Sequence, residues 1–221
     1  MNNIVTSRLH TAILLVSILL LFAGCQTAYY KTMEKFGYHK RDILVDRVKD
    51  ARDSQEEAKE QFKSALEEFS TVLGFQGGDL EKKYNTLNDA YEESEEKAQD
   101  VRDRIESVEK VSEALFDEWD EELSQYTNAK LRQSSEEQLR YTKREYKKLI
   151  GAMKRAEKKI EPVLSAFRDQ VLFLKHNLNA QAIASLKSEL VSVESNVASL
   201  IKEMEASIGE ANEFIKSMAQ E

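Results

Sequence analysis

The sequence predicts an all-α protein, an elongated antiparallel bundle or coiled coil of about four long helices. Three observations carry that reading. Only 7 Gly and 1 Pro occur in 221 residues, whereas a β-rich fold needs a turn signal about every 8 to 12 residues. Apolar residues recur in steps of 4 and 3 from Leu44 almost to the end, the spacing of a helix that buries one face along its length. Nothing rich in Pro, Gly or Ser divides the body, so one helical domain is expected over residues 41–221.

The first seam runs from Leu44 through Val48, Ala51, Gln55, Ala58, Phe62, Ala65 and Phe69 to Val72, and Gly74, Gly77 and Gly78 then end the helix. A second seam runs from Leu80 through Tyr84, Leu87, Tyr91 and Ser94 to Leu115 and Trp119. It fades in SQYTNAKLRQSS. Ser134 with Glu137 three residues on reads as a capping box, and the third seam follows from Leu139 to Leu174. Pro162 removes a backbone donor inside it and predicts a bend. The fourth seam spans Ile183, Leu186, Leu190, Val193, Val197, Leu200, Met204, Ser207, Ala211, Ile215 and Met218. KHNLNAQ, Lys175 to Gln181, holds two Asn but no Gly or Pro, so segments three and four read either as two helices or as one kinked helix. Seam positions filled by Ala, Ser, Gln and Thr bury little apolar area and predict a slender core.

Charge supports an antiparallel pairing. Asp89 to Glu122 holds 15 acidic residues against 4 basic, while Arg140 to Lys159 holds 9 basic against 2 acidic. Folding back near Asn128 lays these stretches side by side, which disfavours parallel or slipped pairings. The basic stretch RYTKREYKKLIGAMKRAEKK also has the look of a phosphate-binding stripe. Neutralisation by the acids of the second helix is the simpler reading. The first and last helices are both net acidic, so charge does not draw them together.

The formal charge of −8, from 32 basic and 40 acidic residues, disfavours nucleic acid as a partner, because phosphate binding needs a basic surface. Chemistry has little to work with. Cys25 is the single cysteine, and neither HExxH nor CxxC nor a Gly-rich nucleotide loop occurs, so no metal, no cofactor and no enzymatic activity are expected. The carboxylates are too dense to single out an acid/base pair. The most distinctive local feature is Val171, Leu172, Phe173 and Leu174: four consecutive apolar residues cover nearly the whole circumference of a helix. Either the bundle surrounds this turn or part of it is a patch for a partner. His176 just beyond reads as a helix C-terminal residue rather than a ligand.

The N-terminal segment supplies an address. Arg8 in a stretch without acids, the apolar run from Ala12 to Phe22 and small Ala23-Gly24 before Cys25 form the three-part layout of a signal peptide over residues 1–24. The run is too short to cross a bilayer, which takes about 20 residues. Phe22-Ala23-Gly24-Cys25 resembles the lipobox of bacterial lipoproteins. That resemblance implies cleavage between Gly24 and Cys25 and acylation of Cys25, which would anchor the chain stably. It also implies that Gln26, not being Asp, sorts the protein to the periplasmic face of the outer membrane rather than the inner one. Residues 25–40, with Tyr29, Tyr30, Phe36 and Tyr38 among Lys31, Lys35 and Lys40, read either as a tether lying on anionic headgroups or as a solvated linker.

The chain as a whole resembles a family of proteobacterial lipoproteins known as a domain of unknown function, through the lipobox, the acidic helical body and the stretch around Pro162. The resemblance implies no activity and no catalytic residue. The expected function is a lipid-anchored periplasmic scaffold or adaptor that docks helices of other envelope proteins, or a second copy of itself. Two rivals are a periplasmic holdase-type chaperone, which would expose mobile apolar surface, and a membrane-remodelling or pore-forming helical protein, which would insert amphipathic hairpins.

Overall fold

The computed structural model describes residues 39–74, 80–177 and 179–219. The chain divides into two compact units, Met1–Ile43 and Leu44–Glu221. Every described element is helical: α1 (Lys40–Leu73), α2 (Leu80–Leu123), α3 (Ala129–His176), α4 (Ala180–Lys187) and α5 (Leu190–Ala219). No helix among the described residues is long and apolar enough to cross a membrane.

In α1 the whole predicted seam is buried, including Gln55 among Leu44, Phe62 and Phe69. The helix closes as expected, with the Gly74 amide donating to the Ser70 carbonyl at 3.1 Å. In α2 the seam is buried from Leu87 to Leu115, and Val111, Phe116 and Leu123 widen it. Ser94 and Ser112 are tolerated there because their hydroxyls donate to the carbonyls of Ala90 and Glu109, so neither polar atom is left bare in the core.

The start of α3 corrects the sequence reading. The helix begins at Ala129, with Asn128 as its cap: the Asn128 side chain accepts from the amides of Lys130 and Leu131 at 3.0 and 3.3 Å. These are donors that a helix start otherwise leaves unpaired. Ser134 therefore lies inside the helix. The neighbouring Ser135 accepts from the Trp119 indole at 2.8 Å and ties the two arms of the hairpin together. Pro162 lies within α3 without ending it. It faces solvent between buried Ile160 and Val163, where water can satisfy the carbonyl that its missing N–H leaves unpaired.

Segments three and four are separate helices. α3 stops at Asn177, whose backbone (φ −134°, ψ 55°) leaves the helical region and whose side chain donates to the Phe173 carbonyl. The fourth segment is itself broken, a second correction, at Ser188 and Glu189. The Ser188 hydroxyl caps the Ser185 carbonyl at 2.7 Å, and the Glu189 amide donates to Leu186. Near the end of α5, Phe214 rather than Ile215 enters the core. A step of 3 from Ala211 serves as well as a step of 4, and the larger ring occupies the buried position.

Contacts within Leu44–Glu221 fix an antiparallel order. Between α1 and α2, Asp50 meets Arg104 and Glu57 meets Lys97. Between α2 and α3, Arg102 meets Glu161, Glu109 meets Lys154 and Asp120 meets Lys143. Along each pair one number rises as the other falls. Arg155 of α3 reaches Glu203 of α5. α1 and α5 adjoin despite their like charge, Arg52 donating to Asn212 at 3.2 Å. The rings of Phe62 on α1 and Phe167 on α3 stack across the interior with centroids 6.5 Å apart. The closest backbone packing runs along α3, against α5 and α2.

Candidate functional site

The last turns of α3 carry the described feature that most resembles a recognition site. Val171 and Leu174, three residues apart, share the buried seam and are 4% and 0% exposed, whereas Leu172 and Phe173 are 51% and 39% exposed. The turn thus divides between the two sequence alternatives. A rotation of roughly 100° per residue makes this unavoidable, because one helix face cannot hold four consecutive side chains.

Leu172 stands one turn beyond Arg168, which forms a polar node that sequence reading missed. The Arg168 Nε donates to the Tyr91 hydroxyl at 2.8 Å, and its Nη2 donates to Glu95 at 3.0 Å. The guanidinium also lies 6.0 Å from the Tyr91 ring centre. Burial pushes the Tyr91 phenol above its usual range, with the Glu95 carboxylate adding to the effect. The hydrogen bond from Tyr91 is the largest influence holding the Glu95 carboxyl below its ordinary value, with Arg168 reinforcing it. Phenol, carboxylate and guanidinium therefore stay in the charge states that hold the node closed. Through these bonds the node fixes α3 to α2.

Two signals could have disclosed it. Tyr91 and Glu95 are spaced i, i+4 on one helix face. The hairpin fold predicted from charge, which sets Asp120 against Lys143, also sets Glu95 against Arg168.

The basic stripe is largely engaged. Lys143 and Lys154 pair with acids of α2, and Arg155 pairs with Glu203 of α5. Arg140 and Lys148 pair within α3. Tyr146 packs edge-on against Phe116 at 5.4 Å, and the Lys143 ammonium lies 5.5 Å from the same Phe116 ring. Surface grooves between α1 and α2 are lined mainly by carboxylates, among them Asp50, Asp53, Glu57 and Asp100, a lining that repels anions. Among the described residues no three His, Cys, Asp or Glu side chains converge as metal ligands. Gly24, Cys25 and Gln26 lie outside the described residues.

The family model described as "Protein of unknown function (DUF2959)" matches residues 29–218. The chain belongs to the DUF2959 family. The match covers the first four described helices and all but the last residue of α5, so the Tyr91–Glu95–Arg168 node and the exposed Leu172–Phe173 pair both lie within the DUF2959 region. Cys25 and its neighbours precede it. No curated protein matches the chain.

Proposed function

We propose that this DUF2959 protein is a non-enzymatic scaffold or adaptor of the cell envelope, anchored by a lipid on Cys25 to the periplasmic face of the outer membrane. In this reading Gly24 and Cys25 flank the cleaved bond, Gln26 directs sorting, and residues 25–40 join the anchor to the helical body. The single observation that supports docking is Leu172 and Phe173: two large apolar side chains in solvent on a turn held by buried Val171 and Leu174 and by the Arg168 node. Exposed apolar groups on a fixed platform bind a partner without first losing the entropy of ordering. A partner helix presenting an apolar face is the matching chemistry.

Photo-crosslinking in living cells from probes at Leu172 and Phe173 tests this, with Cys25→Ala as the mislocalised control. A discrete adduct with another envelope protein, lost in the control, is the expected result. Adducts confined to the chain itself at both positions would remove the docking function. Metabolic labelling with a palmitate analogue tests the anchor separately, and incorporation that persists in Cys25→Ala would count against it.

A further inference from the structure

The hairpin that joins α2 to α3 has a surface unlike that of the rest of the bundle. From Ser124 to Ser135 the only charged residues are Lys130 and Arg132, and no ion pair engages either among the described residues. Every residue from Ser124 to Ser134 is exposed, including Tyr126 at 42% and Leu131 at 57%. The tip therefore combines an aromatic, an aliphatic and two cationic side chains within two helical turns, held in place by the Asn128 cap and the Trp119–Ser135 bond. Elsewhere the described surface of α2 is dominated by carboxylates.

The tip also lies at the end of the bundle where the chain enters α1. Asp50 pairs with Arg104, so Leu44 stands level with about position 110 of α2. The helix continues to Leu123, which carries the hairpin roughly 20 Å past Leu44 at 1.5 Å per residue. The 15 residues from Cys25 to His39 that precede α1 can span at most about 50 Å when extended. A lipid on Cys25 therefore leaves ample chain for the tip to reach the same bilayer.

We infer that Tyr126, Lys130, Leu131 and Arg132 form a second membrane contact, seating the hairpin tip at the headgroup and acyl boundary of the bilayer that holds Cys25. The occupant is a lipid surface bearing anionic headgroups. Lys130 and Arg132 meet phosphates, while Leu131 and the Tyr126 ring enter the interface that aromatic and snorkelling basic side chains favour. Glu121 and Glu122 on the α2 side oppose an anionic surface, so the contact is made from the α3 side of the tip. This inference rests on the lipid anchor of the proposed function. It adds an orientation: the bundle is held at two points, and Leu172 and Phe173 are turned away from the membrane.

The test uses full-length lipidated protein reconstituted in vesicles of dibrominated phosphatidylcholine and phosphatidylglycerol, with tryptophan reporters at exposed positions. Leu131→Trp and, independently, Tyr126→Trp should lose roughly half of their added emission to the bromine quencher, as expected for a side chain at interfacial depth. Val191→Trp, at the far end of the bundle and 73% exposed in the native residue, should lose none. Lys130→Glu combined with Arg132→Glu should abolish quenching of the Leu131→Trp reporter. Circular dichroism confirms that each variant retains its helices. Palmitate incorporation with no quenching at either tip position would overturn the tip contact while leaving the anchor intact. A chain that incorporates no palmitate at Cys25 would remove the anchor and this inference together.

Discussion

Leu172 and Leu131 stand on the same helix, 51% and 57% exposed, yet their foundations differ. Leu172 projects from a turn whose other side is sealed: Val171 and Leu174 are buried, Phe167 stacks on Phe62, and Arg168 binds Tyr91 and Glu95. Behind Leu131 no side chain is buried until Leu139, and the local fastenings are a cap and one indole hydrogen bond. The same exposed residue type therefore suits two uses. A rigid platform favours a shaped protein partner, and a thinly supported tip suits a surface such as a bilayer, which demands no fixed side-chain geometry.

The most direct way to break this difference is to hollow out the platform. Phe167→Ala removes one ring of the Phe62–Phe167 stack and should cost about 3 to 5 kcal/mol, read by urea denaturation. It should also weaken crosslinking from Leu172. Tyr91→Phe removes the hydroxyl that accepts from Arg168 and should cost about 1 kcal/mol.

The same variant should change the response to acid. Folded Glu95 titrates below its ordinary value, so between that lowered value and the ordinary one the unfolded chain binds more protons. The node's contribution is therefore whole above the usual carboxylate range and is lost as pH falls through the lowered value. In Tyr91→Phe the acid limb of the stability curve should flatten, and an unchanged limb would mean that Arg168 alone holds Glu95.

At the tip, Asn128→Ala should also cost about 1 kcal/mol by leaving two amides of α3 without their acceptor. Hydrogen exchange should quicken over the first turn of α3 and leave Val171 to Leu174 unchanged. Leu131→Ser should alter stability by no more than about 0.5 kcal/mol, the range of an exposed substitution, while lowering membrane contact. A large loss of stability there would mean that the tip is packed more like the platform.

Much of the fold was legible because a helix writes its buried face at a fixed interval. All nine α1 seam residues were readable, and so was the hairpin, since complementary charge marks both arms. The errors fall where several local solutions are close in energy. Asn128 and Ser134 are both competent caps, and the choice depends on where the α2 arm ends and on Trp119 finding Ser135. Ala211 can be followed by Phe214 or Ile215 on the seam, and ring volume decides. The Tyr91–Arg168 contact joins residues 77 positions apart, and periodicity had already assigned Tyr91 to the core, which hid its hydroxyl. Consecutive apolar residues revealed that the Val171–Leu174 turn could not be wholly buried by one seam. They did not reveal which two would face out, because that depends on the phase of α3 against α2 and α5.

The order of the helices also bears on how the chain assembles from its unfolded state. Trp119 and Ser135 are 16 positions apart, whereas Arg52 and Asn212 are 160 apart. Closing the longer loop from an unfolded chain costs about 2 kcal/mol more in entropy, on the logarithmic dependence of closure on length. The α2–α3 hairpin is thus the natural nucleus, and the α1–α5 contact is the last to close. Until α5 arrives, the close-packed face of α3 that it covers stays open to water. Between closure of the hairpin and arrival of the last helix, that apolar face is open to other chains as well as to α5.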